Sequence, residues 1–246
     1  MPLYNVDEPR ELIDFTSENP LATWNELKAN SDVNNSVKRA AFIKTGGLCI
    51  YCEHKLIPKL DYQIEHFHPK LGNDNSEFGD GVPNRAIEWL NLFPGCLGGT
   101  ARKTEEVDHT ERTGANKKNK SALTCGQRKE DKPVENNFIS PELLSNDLSI
   151  FKFNESDGSI SVDEQACGAL GIDVRLASKH SQDLNLDSKR LRGIREKFSS
   201  ILESEFNKAF EFAPDDIEGL INEWLALDEQ GIHQHPFYSL IVSKYK

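Results

Sequence analysis

The chain has 246 residues and a mass of 27.7 kDa, enough for one large domain or for a core with an appended one. Mean hydropathy is −0.58 and no apolar run approaches the roughly 18 residues of a membrane span, which excludes a transmembrane helix. Its 29 basic and 40 acidic side chains leave a net charge of −11, which taken alone argues against nucleic acid as a partner.

In chain order, the start MPLYNVDEPRELIDF lacks the basic-then-apolar pattern of a secretion signal, so a cytoplasmic placement is expected. Residues 1–44 read as a helical segment. Asn19-Pro20 breaks it, Leu21–Asn30 carries Trp24 and Leu27 on one side, and Ser36–Thr45 is a helix stopped by Gly46-Gly47. From Cys49 to about Phe67 the pattern is short and strand-like, with a turn at Pro58–Asp61. Asn84–Leu92 reads as a short helix, and 97–124 as a long polar surface insertion. Ser149–Val162 predicts a β-hairpin turning at Ser156-Asp157-Gly158. Asp187–Phe212 has helical 3–4 spacing at Leu191, Ile194, Phe198, Ile201, Leu202, Phe206 and Ala209, and another helix follows Pro214.

The charge is unevenly spread. Residues 1–44 have net charge −2, residues 45–135 net −1 and residues 136–246 net −8, while Arg112–Lys132 carries net +5. Four of the five cysteines, Cys49, Cys52, Cys96 and Cys125, fall in the near-neutral middle. Without a secretion signal, metal ligation is favoured over disulfides. Cys49-Ile50-Tyr51-Cys52 is a CxxC, and two thiolates at that spacing suit one tetrahedral zinc. A redox pair has the same spacing, but its usual strand-before, helix-after context is missing. Cys96 and Cys125 could complete a four-cysteine site, with His54 and His109 as alternatives to a thiolate. Cys167 reads as a packed thiol.

Soon after the CxxC comes Glu65-His66-Phe67-His68-Pro69-Lys70. A histidine can take a proton near neutral pH, and a neighbouring carboxylate can hold a hard cation. On a regular strand the two would face opposite ways, so a shared centre needs a bend or twist between them. His68 reads either as an aid to the metal site or as a cap on the bend, and His233 and His235 as surface residues. Asn91 lies five residues before Cys96, and Cys125 opens the basic stretch Cys-Gly-Gln-Arg-Lys-Glu-Asp-Lys.

Order and spacing together resemble the HNH endonucleases. Glu65-His66-x-x-Pro69 is similar to the family's acidic-His doublet and proline. Asn91 with Cys96 is similar to its central Asn, and Cys125, Lys129 and Asp131 to its last cysteine and Lys-x-Asp helix. More narrowly, CIYCEHKL, IEHFHPK, WLNLFPGC and TCGQRKEDK resemble PtuB, the HNH subunit of Septu and certain retron antiphage systems. The resemblance runs from about Cys49 to Lys132 and, more loosely, to about Arg195 through SQDLNLDSKRLRGIR.

This resemblance implies an α+β fold: a ββα-metal (HNH, His-Me finger) core at 45–135 with a four-cysteine zinc site, set in a mostly helical protein. The acidic region 136–246 would then be a partner-docking part. It also implies a metal-dependent endonuclease acting on DNA or tRNA, with structural Zn2+ and catalytic Mg2+ or Mn2+. His66 would be the general base, Asn91 its positioning residue, and Glu65 a ligand of the catalytic ion. Implied partners are a PtuA-like ABC-type ATPase and, in retron systems, a reverse transcriptase with its RNA–DNA product (msDNA). Two departures stand out. Cys96 and Cys125 are far apart in sequence, and Gly126 stands where the family usually has His or Asn. Glu130 is therefore the candidate second metal ligand, with Gln127 and Asp131 as alternatives. Lys117, Lys118, Lys120, Arg128, Lys129 and Lys132 are candidate phosphate contacts. Gly126 also favours a competing reading, a zinc-stabilised nucleic-acid or protein binding module without catalysis.

Overall fold

A computed structural model describes residues 2–70, 84–100 and 120–246. The candidates Lys117, Lys118 and His109 lie outside the described residues. The N-terminal segment holds α1 (Arg10–Glu18), α2 (Trp24–Ala29) and α3 (Ser31–Lys44). A capping box starts α2: the Glu26 N–H bonds the Thr23 hydroxyl, and the Glu26 carboxylate reaches back to the Thr23 backbone. Asn30 caps α3 through the Val33 N–H. Gly46 and Gly47, at φ 60° and 76°, turn the chain out of α3 toward Cys49.

Strand β1 (Gln63–His66) pairs antiparallel with β2 (Leu92–Gly95), with Glu65 opposite Phe93 and His66 opposite Leu92. A five-residue helix, α4 (Cys125–Lys129), stands beside them. The expected helix over Asn84–Leu92 does not form. A turn at 84–87 and a 3-10 turn over Trp89–Asn91 lead straight into β2. Ala86, Ile87, Trp89, Asn91 and Leu92 are all buried, so this segment has no solvent face of the kind an amphipathic helix requires.

The predicted hairpin is β3 (Phe151–Phe153) with β4 (Ile160–Val162). Helices α5 (Glu164–Ala169), α6 (Val174–Asp183), α7 (Lys189–Phe212), α8 (Ile217–Leu225) and α9 (Tyr238–Tyr245) follow. None of the described helices is long and apolar enough to cross a membrane.

One core cluster decides where the site lies. It joins Cys49, Cys52, Cys96 and Cys125 to Val134, Phe138, Leu184, Leu186 and Leu191. The α6–α7 connection is thus packed against the cysteines. The Cys125 N–H donates to the Leu184 carbonyl at 2.9 Å. The Asn185 side chain donates to the Ser121 and Leu123 carbonyls, at 3.0 and 2.9 Å. Burying each such leucine contributes about 1.5–3 kcal/mol. Cys167 is fully buried in a separate cluster with Ile139 and Ile150.

His233, expected at the surface, is 1% exposed. It hydrogen-bonds the Tyr4 hydroxyl through Nε2 at 2.7 Å. Gly46 makes the room, since a Cβ there would stand 2.5 Å from the His233 ring.

Candidate metal centres and active-site cleft

The four cysteines meet although they are spread over 77 positions of sequence. All are buried, and their sulfurs lie within 4.8 Å of one another. The Cys52 and Cys96 sulfurs are 3.9 Å apart. A tetrahedral zinc with Zn–S bonds of about 2.3 Å needs sulfurs about 3.8 Å apart, so the set fits that ion. Backbone donors support the sulfurs: Cys96 N–H to Cys49 Sγ at 3.3 Å and Gly98 N–H to Cys96 Sγ at 3.4 Å. A bond between Cys49 and Cys52 alone would not explain why two further thiols converge on them.

A buried cation lies beside this group. Arg190 donates to the hydroxyl of Thr124, the neighbour of Cys125, at 2.6 Å. Burial works against the Arg190 charge, but the sulfurs of Cys96, Cys52 and Cys125 hold the guanidinium above its usual range. A zinc bound by four thiolates carries net negative charge, which Arg190 would partly compensate.

The second site opens beside α4. A cleft of about 820 Å³ is lined by Gln63, Glu65, His66, Lys70, Gly126, Gln127, Glu130, Asp131 and Lys132, among others. Glu65 and His66 come from β1, and the last five of these from α4 and the turn after it. Gln127 donates to Gln63 at 3.1 Å and ties helix to strand.

The His66 ring is held from two sides. Its Nε2 bonds the Ala86 carbonyl at 3.0 Å, and Trp24 of α2 packs edge-on with ring centres 4.8 Å apart. A carbonyl only accepts, so Nε2 carries the proton and Nδ1 keeps the lone pair. Burial lowers the His66 pKa to about 4, so the ring is neutral at neutral pH.

Asn91 is 1% exposed and fastens two chain segments. Its amide donates to the His68 carbonyl at 2.9 Å and to the Arg85 carbonyl at 2.7 Å, and its oxygen accepts from the His68 N–H at 2.6 Å. Arg85 immediately precedes the carbonyl that holds His66. The backbone of His68 makes these bonds, and its ring packs edge-on against Phe67.

Glu65 is buried, and burial raises its pKa to about 7 against the opposing pull of the Lys129 ammonium and the Tyr51 hydroxyl. Tyr51 donates to Oε1 at 3.3 Å, and Lys129 Nζ lies 3.7 Å from the same oxygen. Gly126 fits tightly here, because a Cβ on it would stand 2.0 Å from Glu65 Oε2. Any side chain at 126 would displace the carboxylate. Glu130 does not continue α4. It ends the helix with φ 53°, is exposed, and lines the cleft with Asp131 and Gln127. Carboxylate and amide oxygens are the donors a hard cation such as Mg2+ or Mn2+ prefers, so the wall suits one in kind.

The basic candidates divide. Lys129, expected to meet phosphate, has no exposed surface and is packed among Glu65, the His66 carbonyl and Phe138. Lys132 lines the cleft and pairs with Asp183 at 3.1 Å. Arg128 is partly buried on α4. Tyr51, Trp24 and the Ala86 carbonyl were missed from sequence. Tyr51 sits inside the CxxC, the one local signal that could have drawn attention to it.

No family model matches the sequence. The pairing of a four-cysteine group with a Glu-His strand suggests the class of protein, and a relative supports it. Over 210 residues the chain is 27% identical to an Escherichia coli protein named "Retron Ec83 putative HNH endonuclease", covering 77% of this chain and 75% of that one. The similarity supports an HNH endonuclease, a hydrolase of phosphodiester bonds.

Proposed function

We propose that this protein is a PtuB-like HNH endonuclease, the cleaving subunit of an antiphage complex. In this reading it works with a PtuA-like ABC-type ATPase and, in a retron setting, with a reverse transcriptase and its msDNA. Its substrate is DNA or tRNA. Residues 45–135 form the ββα-metal nuclease core, and the acidic region 136–246 docks partners. The observation that carries the reading is the fastening of His66 and Glu65 in one open cleft, with Asn91 binding the segments on either side.

In the mechanism, the neutral His66 takes a proton from a water at Nδ1 while Nε2 stays bonded to the Ala86 carbonyl. A phosphate bound nearby raises the basicity of the ring by its negative charge. Asn91 keeps Arg85-Ala86 and Phe67-His68 together, so the ring does not swing. Glu65 with Glu130 would hold a divalent cation, which supplies charge stabilisation for the leaving oxyanion. Lys132 lines the cleft and, with Arg128 of α4, would meet flanking phosphates. The Cys49, Cys52, Cys96 and Cys125 group would hold structural zinc and fix α4 against β2.

Gly126 favours one competitor, a zinc-stabilised binding module without catalysis. The deciding experiment assays the partner complex on plasmid DNA and total tRNA with Mg2+ or Mn2+. Wild type should cleave one of them, and His66→Ala should lose roughly 100-fold to 10,000-fold in rate at unchanged zinc content. Full activity in His66→Ala would end the catalytic role of that residue.

A further inference from the structure

Behind the cleft wall, the buried Glu65 carboxylate meets a buried ammonium. Lys129 Nζ lies 3.7 Å from Glu65 Oε1 and donates to the His66 carbonyl at 3.1 Å and the Glu130 carbonyl at 3.5 Å. Its charge also lies 5.7 Å from the centre of the Phe138 ring. Tyr51 takes part of the same Glu65 oxygen. Gly126 brings no side-chain donor, and leaves room for the other oxygen, since a Cβ on it would stand 2.0 Å away. A divalent ion at Glu65 would therefore find one partly committed carboxylate and a fixed positive charge within a few ångströms.

We propose that the cation in this cleft binds together with a phosphate of the nucleic acid and not ahead of it, and that Lys129 imposes the order. This rests on the nuclease reading above. Lys129 acts as a positioning residue: it fixes Glu65, the backbone of His66 and the end of α4 at one point. Its charge opposes a second cation on the same carboxylate. A unit charge this close, away from bulk water, lowers cation affinity by roughly tenfold or more. A phosphate anion entering the cleft offsets both positive charges and supplies the oxygen donors that Gly126 does not.

The test is a Mn2+ titration of the zinc-loaded full chain, read by electron paramagnetic resonance. It is run alone, with phosphorothioate DNA, with phosphorothioate RNA, and with inorganic phosphate. Wild type should bind Mn2+ at least about tenfold more tightly with one of the nucleic acids than alone, and an equal gain with inorganic phosphate alone would overturn the assignment to a nucleic-acid phosphate. Lys129→Gln should bind Mn2+ about tenfold more tightly than wild type without nucleic acid, while Lys129→Arg should stay close to wild type. Equal Mn2+ affinity of wild type with and without every nucleic acid would overturn the proposal. So would a Lys129→Gln chain that folds, keeps its zinc and binds no better than wild type. If Lys129→Gln fails to fold, the wild-type titration decides alone. Cleavage by wild type with Mn2+ binding that ignores nucleic acid would sink this inference and leave the nuclease reading standing. Absence of both cleavage and nucleic-acid-dependent Mn2+ uptake would sink the reading beneath it.

Discussion

The cysteine group and the cleft share the same short elements and differ in almost every physical property. Cys125 and Gly126 are neighbours on α4, yet one faces a closed set of four soft donors and the other an open wall with one buried carboxylate. β2 leads directly into Cys96, while its partner β1 carries Glu65 and His66. Two four-residue strands and a five-residue helix are too short to hold a geometry by themselves. The contrast suggests a division of labour: a closed centre gives rigidity, and an open cleft beside it is free to receive a ligand.

The sharpest way to break that division is at the sulfurs. Cys49→Ser should lose the bound metal and lower the thermal midpoint by more than about 10 °C, read by metal analysis and thermal unfolding. A protein that stays equally stable without metal would show that the cleft does not lean on the cysteine group.

Asn91 tests the cleft's own bracing. Asn91→Ala leaves the part-buried carbonyls of His68 and Arg85 without their donor and the His68 N–H without its acceptor, and should cost about 2–4 kcal/mol of stability. In a cleavage assay the loss should fall mainly on kcat, by roughly 100-fold, since under the proposed mechanism His66 is misplaced while the binding surface remains. Equal stability in a chemical denaturation series would count against the bracing role.

The smallest expected effect lies away from both sites. His180 accepts the Ile139 N–H at Nδ1, at 3.0 Å, and burial lowers its pKa to about 4. The unfolded chain, with a histidine near pH 6.5, takes up the proton first as pH falls. The stabilising preference for neutral His180 is complete above pH 6.5 and is lost progressively toward pH 4. His180→Gln should flatten this part of the acid slope of the thermal midpoint, and an unchanged slope would assign the acid sensitivity to other groups.

Much of this was legible in the sequence where a local pattern exists. The 3–4 spacing from Leu191 onward marked α7, Gly46-Gly47 marked the end of α3, and the turn residues marked the β3–β4 hairpin. Cys49-x-x-Cys52 and Glu65-His66 were visible as motifs. What stayed hidden depends on contacts between distant segments. Nothing around Lys129 distinguishes a buried ammonium from a solvated one, because its burial comes from Glu65, the His66 carbonyl and Phe138. Trp24 read as one side of a helix, and its edge-on contact with His66 spans 42 positions. His233 sits in a polar-looking stretch and is buried because Gly46, far upstream, leaves a slot.

The hydrogen bond from the Thr124 N–H to the Gly98 carbonyl, at 3.2 Å, has a wider consequence. It brings the backbone just after Cys96 beside the backbone just before Cys125, so the spacing of these two cysteines does not depend on how many residues separate them in sequence. Closing a longer loop adds only about 0.6 kcal/mol per doubling of its length. Evolution can therefore change the number of residues between Gly98 and Thr124 at little cost while the two cysteines keep their spacing.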